Sequence, residues 1–255
     1  MVYQGSKSRI AKDIVPIIQG YIDKNEVTSY IEPFVGGANV IDKIKCNYRG
    51  GSDINKNLIT LLNYAKYHPT LPIAFDDCPD WLYKEVRDHK EAYAEELVAL
   101  VGYCASYGGR YFDGGYARDR TGRRNIYKER LKNLRNQAPL FEDIVFINSD
   151  YKNLDFADGS VVYCDPPYRS KKGYNNSSFN HEEFYDWCKE ASKNNIVIIS
   201  ECSMPDDFEC IWSKERKVMQ KSDRIKADKL TERLYLIDNR KCGANLKYNW
   251  EDKRK

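Results

Sequence analysis

Between residues 28 and 66 the sequence carries the rhythm of an open α/β sheet, and that rhythm limits the available folds more than any other feature. Ser29-Tyr30-Ile31 reads as a short buried strand and Glu32-Pro33-Phe34-Val35-Gly36-Gly37 as the loop after it. Val40, Ile41 and Ile44 read as a helical stripe. Arg49 to Asp53 reads as a second strand ending in an acid, and Asn55 as the cap of a helix carrying Leu58, Ile59, Leu61, Leu62 and Ala65. Strand, glycine loop, helix, strand, acid is the first half of a doubly wound sheet. The rhythm returns later. Ile144-Val145-Phe146-Ile147 and Val161-Val162-Tyr163-Cys164 read as buried strands, and Glu182 to Ala191 as a helix. Ile196-Val197-Ile198-Ile199 and Leu234-Tyr235-Leu236-Ile237 read as further strands, with Asn194-Asn195 as the turn into the former. In between, Pro69, Pro72 and Pro79 mark a connector, and Val86, Tyr93, Leu97, Leu100, Val101 and Cys104 have helical spacing. The expected organisation is one sheet domain from residues 1–65 and 144–255, with an inserted lobe at 66–143.

Composition closes off several classes. The chain has 255 residues, enough for one such core and a lobe. Its eight cysteines form no C-x-x-C pair and only three histidines are present, so no metal site is expected. The segment Met1-Val2-Tyr3-Gln4-Gly5-Ser6-Lys7 has no apolar signal-peptide core, and no apolar run approaches membrane-spanning length. A reducing cytoplasm is the expected location. The net charge of +3 neither demands nor excludes a polyanionic partner, so the distribution of charge matters more than its sum.

The chemistry-bearing segment is Asp165-Pro166-Pro167-Tyr168, directly after the strand at 161–164. In open α/β sheets ligands sit beyond the carboxyl ends of the strands. Two prolines remove two N–H donors and fix φ, leaving a stiff segment with carbonyls free to accept. An acceptor-only carboxylate, rigid carbonyls and an aromatic face suit a flat heterocycle bearing an amine. The glycines of the Glu32–Gly37 loop let a ligand approach the backbone, but they do not spell G-x-G-x-x-G, so phosphate cradling is not supported. Asp53 lies 17 positions after Gly36, near the spacing at which an acid binds ribose hydroxyls. A nucleoside without phosphates fits these residues.

These segments resemble the Dam-like DNA adenine methyltransferases over most of the chain. Tyr3 to Lys7 is similar to that family's opening G-x-K segment, Glu32 to Gly37 to its E-P-F-x-G-G loop, and Asp53-Ile54-Asn55 to its D-x-N segment. Asp165 to Tyr168 is its D-P-P-Y, and Ile198-Ile199-Ser200 is similar to the strand ending in serine that follows. The resemblance implies a Rossmann-like AdoMet-dependent methyltransferase sheet with an inserted, mostly helical DNA-recognition lobe. It implies S-adenosyl-L-methionine (AdoMet) as methyl donor and double-stranded DNA as partner, with no metal, in a bacterial or phage setting. Tyr3, Lys7, Glu32, Pro33, Phe34, Gly36, Gly37, Asp53, Asp150 and Asp165 are then the cofactor-binding candidates. Asp53 is placed on the ribose, the 32–37 loop at the methionine end and Asp150 near the adenine. Asp165, Pro166, Pro167 and Tyr168 are the catalytic set. The N6 amine of a flipped adenine donates to the Asp165 carboxylate and the Pro166 carbonyl, and Tyr168 stacks on the base. Phe179 is either a second wall of the base pocket or a core residue.

Residues 106 to 137 hold nine Arg or Lys against three acids, interleaved with tyrosine and glycine. Such a run is either a solvated face or a nucleic-acid contact, and the interleaving favours contact. Arg110, Tyr111, Arg118, Arg120, Arg123 and Arg124 are the DNA-binding candidates, with Lys171 and Lys172 after the catalytic loop. Rival readings keep the amine chemistry and change the substrate to cytosine N4 or RNA adenine, or keep DNA binding and drop catalysis. The D-P-P-Y tetrapeptide favours adenine through the resemblance, and the intact Asp165, Tyr168 and glycine loop favour an active enzyme. A nicotinamide oxidoreductase lacks its fingerprint here.

Overall fold

The computed structural model describes residues 1–71, 76–168, 179–218 and 228–240. Among the described residues seven strands form one sheet: β1 (Ser29–Glu32), β2 (Tyr48–Asp53), β3 (Ile144–Asn148), β4 (Val161–Cys164), β5 (Ile196–Glu201), β6 (Glu209–Val218) and β7 (Asp228–Ile237). Their order is β3-β2-β1-β4-β5-β7-β6. The pairs β2/β3, β1/β4 and β4/β5 are parallel, and β7 runs antiparallel to β5 and β6. Up to the fifth position this is the Rossmann order, with its reversal of direction between β1 and β4. An antiparallel pair completes the sheet. The helices are α1 (Ala11–Lys24), α2 (Lys56–Tyr67), α3 (Asp80–Asp88), α4 (Glu95–Cys104), α5 (Ile126–Gln137) and α6 (His181–Ala191). The fold is therefore α/β, as its sequence rhythm predicts.

The chain divides into two compact units. The first comprises Met1–Val15, Val35–Ile44 and Arg49–Tyr151. Here β2 and β3 pair from Arg49 opposite Ile144 to Asp53 opposite Asn148. Asn55 caps α2 as its sequence predicts, its Oδ1 accepting from the Leu58 N–H at 3.3 Å, and Leu58, Ile59, Leu61, Leu62 and Ala65 are all buried. α2 packs on β3 and α4, and α4 packs on α3 and α5. Between β2 and β3 the described residues add helices and one isolated bridge, Ser106 to Tyr116, but no strand of the sheet.

The second unit comprises Pro16–Phe34, Lys45–Tyr48 and Lys152–Lys255. Every residue of β4 and β5 is buried, which is why both read as unbroken apolar runs. β5 lies between β4 and β7, paired to both. Asn180 caps α6, its Oδ1 accepting from the Glu183 N–H at 3.2 Å, and the helix buries Phe184, Tyr185 and Cys188.

Several local expectations are corrected. The stripe Val40, Ile41, Ile44 is buried, but the helix there is only a 3-10 turn, Ile41–Lys43. Ile44 is already extended because the chain must enter β2 by Tyr48. The helical spacing from Val86 to Cys104 belongs to two helices, α3 and α4, separated by a 3-10 turn at Lys90–Ala92. The break lets the apolar faces of α3 and α4 pack on each other, which one straight rod cannot do. β3 is an edge strand whose Ile144 and Phe146 are buried while Val145 and Ile147 are exposed. α2 covers one of its faces, and the alternation sends the other two residues to the opposite one. Two elements go unmarked in the sequence. α1 buries Ile14, Ile17, Ile18, Tyr21 and Ile22 at helical spacing despite Pro16 within it. β6 is a charged strand with a register shift between Cys210 and Trp212.

Ile198 sits in the middle of β5 with no exposed surface. Replacing it by Ala should cost about 2–5 kcal/mol of unfolding free energy. Urea denaturation should show a lowered midpoint with an unchanged slope.

Candidate active site

In the second unit the residues after β1 and β4 come together. The strands pair in parallel, Tyr30 opposite Val161 and Ile31 opposite Val162, so both end at the same rim. Glu32-Pro33-Phe34 leaves one strand there and Asp165-Pro166-Pro167-Tyr168 the other. The strand order reverses between these two strands, which is where ligands bind in open α/β sheets. Glu32 and Pro33 are buried, and the Glu32 Oε1 accepts from the Tyr30 hydroxyl at 2.7 Å. Phe34 packs edge-on against Phe184 (centroids 5.6 Å) and Phe179 (5.9 Å), and Phe179 also contacts His181 and Phe184. Phe179 thus belongs to an aromatic cluster with Phe34.

Tyr168 is buried. Its hydroxyl donates to the Glu232 Oε2 at 2.5 Å and lies 3.2 Å from the Ser200 Oγ. Burial, with Asp165 and then Glu232 nearby, raises its phenol well above the ordinary range, so the hydroxyl keeps its proton and serves as the donor. The strand registers put these groups on one face of the sheet. Val161 pairs with Tyr30, and two residues on lie Tyr163 and Glu32. Tyr163 pairs with Ile198, two before Ser200. Ser200 pairs with Leu234, two after Glu232. Tyr163 is buried, with its hydroxyl near Ser200. Burial, then Asp165 and Glu32, raise this phenol as well. Sequence reading overlooked Tyr30, Tyr163 and Glu232. The i, i+2 spacing of Tyr30 with Glu32 and of Tyr163 with Asp165 is a usable signal, because it puts two polar groups on one face of a strand. Glu232 has none, sitting in the mixed run Thr231-Glu232-Arg233.

In the first unit a second set assembles around the end of β2. The Asp53 carboxylate accepts from the Gly36 N–H at 3.2 Å and the Asn55 N–H at 3.0 Å. Burial raises its pKa, and those two hydrogen bonds oppose the rise. Gly36 has φ +49°, and a Cβ there would lie 3.1 Å from the Tyr3 ring. One at Gly37 would lie 2.6 Å from the Asn39 Nδ2. A side chain at Gly36 would be strained by the positive φ and would crowd the Tyr3 ring, and one at Gly37 would fit only if Asn39 moved. The Val35 N–H donates to the Ser52 carbonyl at 2.8 Å, which fastens the loop to β2. Lys7 is buried in a 3-10 turn and Asp150 is half-buried just past β3. Tyr103, on α4, contacts the Tyr3 and Tyr111 rings (centroids 6.1 and 5.3 Å). Its hydroxyl is buried near Asn55 and Asp53.

The basic segment, also in the first unit, separates into committed and solvent-facing side chains. The Arg130 Nη1 donates to the Cys104 and Ser106 carbonyls at 3.1 and 2.5 Å. Arg135 reaches the Thr70 and Leu71 carbonyls and Asp76. Arg118 pairs with Asp80 (2.8 Å), Arg124 with Glu129 (2.5 Å) and Lys128 with Asp77 (3.3 Å). Arg120 and Arg123 are exposed and have no ion pair among the described residues. Asp119 holds the loop between them, accepting from the Thr121 hydroxyl and from the Arg123 and Arg124 N–H groups. Tyr111 is packed against α4, where a Cβ on Gly102 would lie 2.5 Å from its ring, and the Tyr116 hydroxyl donates to the Cys78 carbonyl at 2.7 Å. Lys171 and Lys172 lie outside the described residues. Among the described residues no group of three or more His, Cys, Asp or Glu is arranged to hold a metal ion, and no helix is long and apolar enough to cross a membrane.

The chain is similar to several known methyltransferases. The chain is 31% identical over 165 residues to a DNA adenine methylase of Haemophilus influenzae, covering 56% of each chain. It is 23% identical over 206 residues to the type II methyltransferase M.FokI of Planomicrobium okeanokoites, covering 72% of this chain and 31% of that one. It is 25% identical over 214 residues to the type II methyltransferase M.MjaIII of Methanocaldococcus jannaschii, covering 72% and 73%. The chain thus spans about a third of the M.FokI protein and just over half of the Haemophilus one. The D12 class N6 adenine-specific DNA methyltransferase family matches residues 3–203, a range that includes the 32–37 loop, Asp53 and the 165–168 tetrapeptide, and the chain belongs to that family.

Proposed function

We propose that this chain transfers the methyl group of AdoMet to the exocyclic N6 amine of an adenine extruded from double-stranded DNA. The observation that carries the reading is the arrival of Glu32-Pro33-Phe34 and Asp165-Pro166-Pro167-Tyr168 at one rim from the adjacent parallel strands β1 and β4. Membership of an adenine-specific family supports it.

The residues of the first unit fit a nucleoside donor. An ionised carboxylate has about four lone-pair sites, so Asp53 keeps acceptor capacity for ribose hydroxyls after its bonds from Gly36 and Asn55. The buried Tyr103 hydroxyl, near Asn55 and Asp53, offers a further polar contact. Tyr3, Lys7, Gly36 and Gly37, with Glu32, Pro33 and Phe34, would serve the methionine end, and Asp150 the adenine. When bound, AdoMet supplies an electrophilic methyl on a good leaving group, so no metal is needed. The chain's task is positioning and preorganised charge. The Asp165 carboxylate and the Pro166 carbonyl each accept one N6 hydrogen, which turns the nitrogen lone pair toward the methyl carbon. Pro166 and Pro167 keep both acceptors rigid. Tyr168 stacks on the extruded base, with the Phe34–Phe179 cluster beside it.

Residues 66–143 are proposed as the target-recognition insert. Arg110, Arg120 and Arg123 are its foremost phosphate ligands, since Arg118 and Arg124 must first leave Asp80 and Glu129.

The direct test is incubation with AdoMet and PCR-amplified DNA, followed by base-resolved detection of N6-methyladenine; methylation confined to cytosine or to RNA would overturn the reading. Asp165→Ala should abolish methylation while AdoMet still binds by calorimetry, and retained turnover would remove Asp165 from the mechanism. Converting Arg120 and Arg123 to Ala should lower the slope of log affinity against log salt by about 0.9 per lost phosphate contact. An unchanged slope would mean that this loop does not touch the backbone.

A further inference from the structure

We infer that Glu232 is a positioning residue for Tyr168, holding the ring plane and enriching the ring electronically for its contact with the methylated base. This rests on the reading of the 165–168 tetrapeptide as an adenine-binding loop, and it adds a residue 64 positions from that loop in sequence and outside the stretch matched by the family.

The geometry is specific. A phenol O–H prefers to lie in the plane of its ring. The Tyr168 hydroxyl donates to Glu232 at 2.5 Å and accepts from the Ser200 hydroxyl at 3.2 Å, so two partners on two strands define that plane. Glu232 is 3% exposed and Tyr168 9%, so water competes little for the bond. The bond has the length of a charge-assisted O–H···O⁻ contact. Such a bond moves electron density from the carboxylate through the phenol oxygen into the ring, making the ring face more negative. The N6 nitrogen gains positive charge as its lone pair forms the N–C bond and the C–S electron pair leaves with the sulfur, before it passes a proton to water. A more negative ring face therefore attracts the base more strongly in the transition state than in the ground state, and this raises kcat rather than lowering KM. Residues that only fill space at this position would not act in that way.

The experiment is a double-mutant cycle on the full chain with Glu232→Gln, which keeps the shape and an acceptor but removes the charge, and Tyr168→Phe. Initial rates with tritiated AdoMet and PCR-amplified mixed-sequence DNA give kcat and KM, calorimetry gives the AdoMet affinity, and thermal scans give the melting midpoint. Each single variant should lose roughly tenfold in kcat, the effect of one charge-assisted hydrogen bond, with KM and AdoMet affinity little changed. The double variant should be no slower than Tyr168→Phe alone. Losses that multiply in the double variant would overturn the inference, as would a lowered midpoint with undiminished kcat. Full kcat in Tyr168→Phe would do so even if no Glu232 variant folded. A wild-type chain that methylates no adenine sinks the proposed function and this inference together, whereas an active wild type with multiplicative losses sinks this inference alone.

Discussion

The parallel pairing of β1 with β4 is the constraint on which the candidate active site depends. In a doubly wound sheet the strands on either side of the switch point send their following loops in opposite directions, which opens a crevice at the rim. Here those loops are Glu32-Pro33-Phe34 and Asp165-Pro166-Pro167-Tyr168. Neither has a catalytic meaning alone. Their approach follows from a register of two paired residues, Tyr30 to Val161 and Ile31 to Val162. That register is held by strands whose residues are almost all buried. A slip of one residue would turn Tyr163 away from the face it shares with Glu32 and Ser200.

The glycine loop illustrates how one short segment serves two ends. Its first half leaves β1 and packs Phe34 among aromatic rings near α6. Its second half is fastened to β2 by backbone bonds and by the Asp53 carboxylate. Gly51 in β2 allows this, because a Cβ there would lie 2.7 Å from the Val35 side chain. The glycines of this region therefore answer to packing against Val35, Tyr3 and Asn39 as well as to any ligand. Asp53 is a half-buried acid whose carboxylate accepts from two backbone donors, which oppose the rise in its pKa that burial causes.

Much of this was legible beforehand. The strands at 29–31, 49–53, 161–164, 196–199 and 234–237 are present, as are the Asn55-capped helix and the helix at 182–191. Elements defined by local periodicity and capping chemistry are readable because their determinants lie within a few residues. What was misread lies where long-range packing overrides the local pattern. The stripe at 40–44 is buried without being an α-helix, and the spacing from Val86 to Cys104 is divided so that α3 can lie against α4. The basic segment shows the same limit. Nine cations look alike in sequence, yet Arg130 and Arg135 are spent on backbone carbonyls and Arg118 and Arg124 on acids, because only the fold decides which acceptors come within reach.

By itself the sequence determined the α/β class, the order of the chemical segments and their residue types. These depend on apolar periodicity, on proline and glycine backbone geometry, and on carboxylates at strand ends, all short-range properties of the chain. The tertiary structure decided which segments meet. It put β1 beside β4 although about 130 residues separate them, brought Ser200 and Glu232 to the Tyr168 hydroxyl, and buried the Tyr163 and Tyr103 hydroxyls. Strand order and register come from burying whole faces at once. No local window of sequence contains that information, so a partner such as Glu232 becomes visible only when the sheet is assembled.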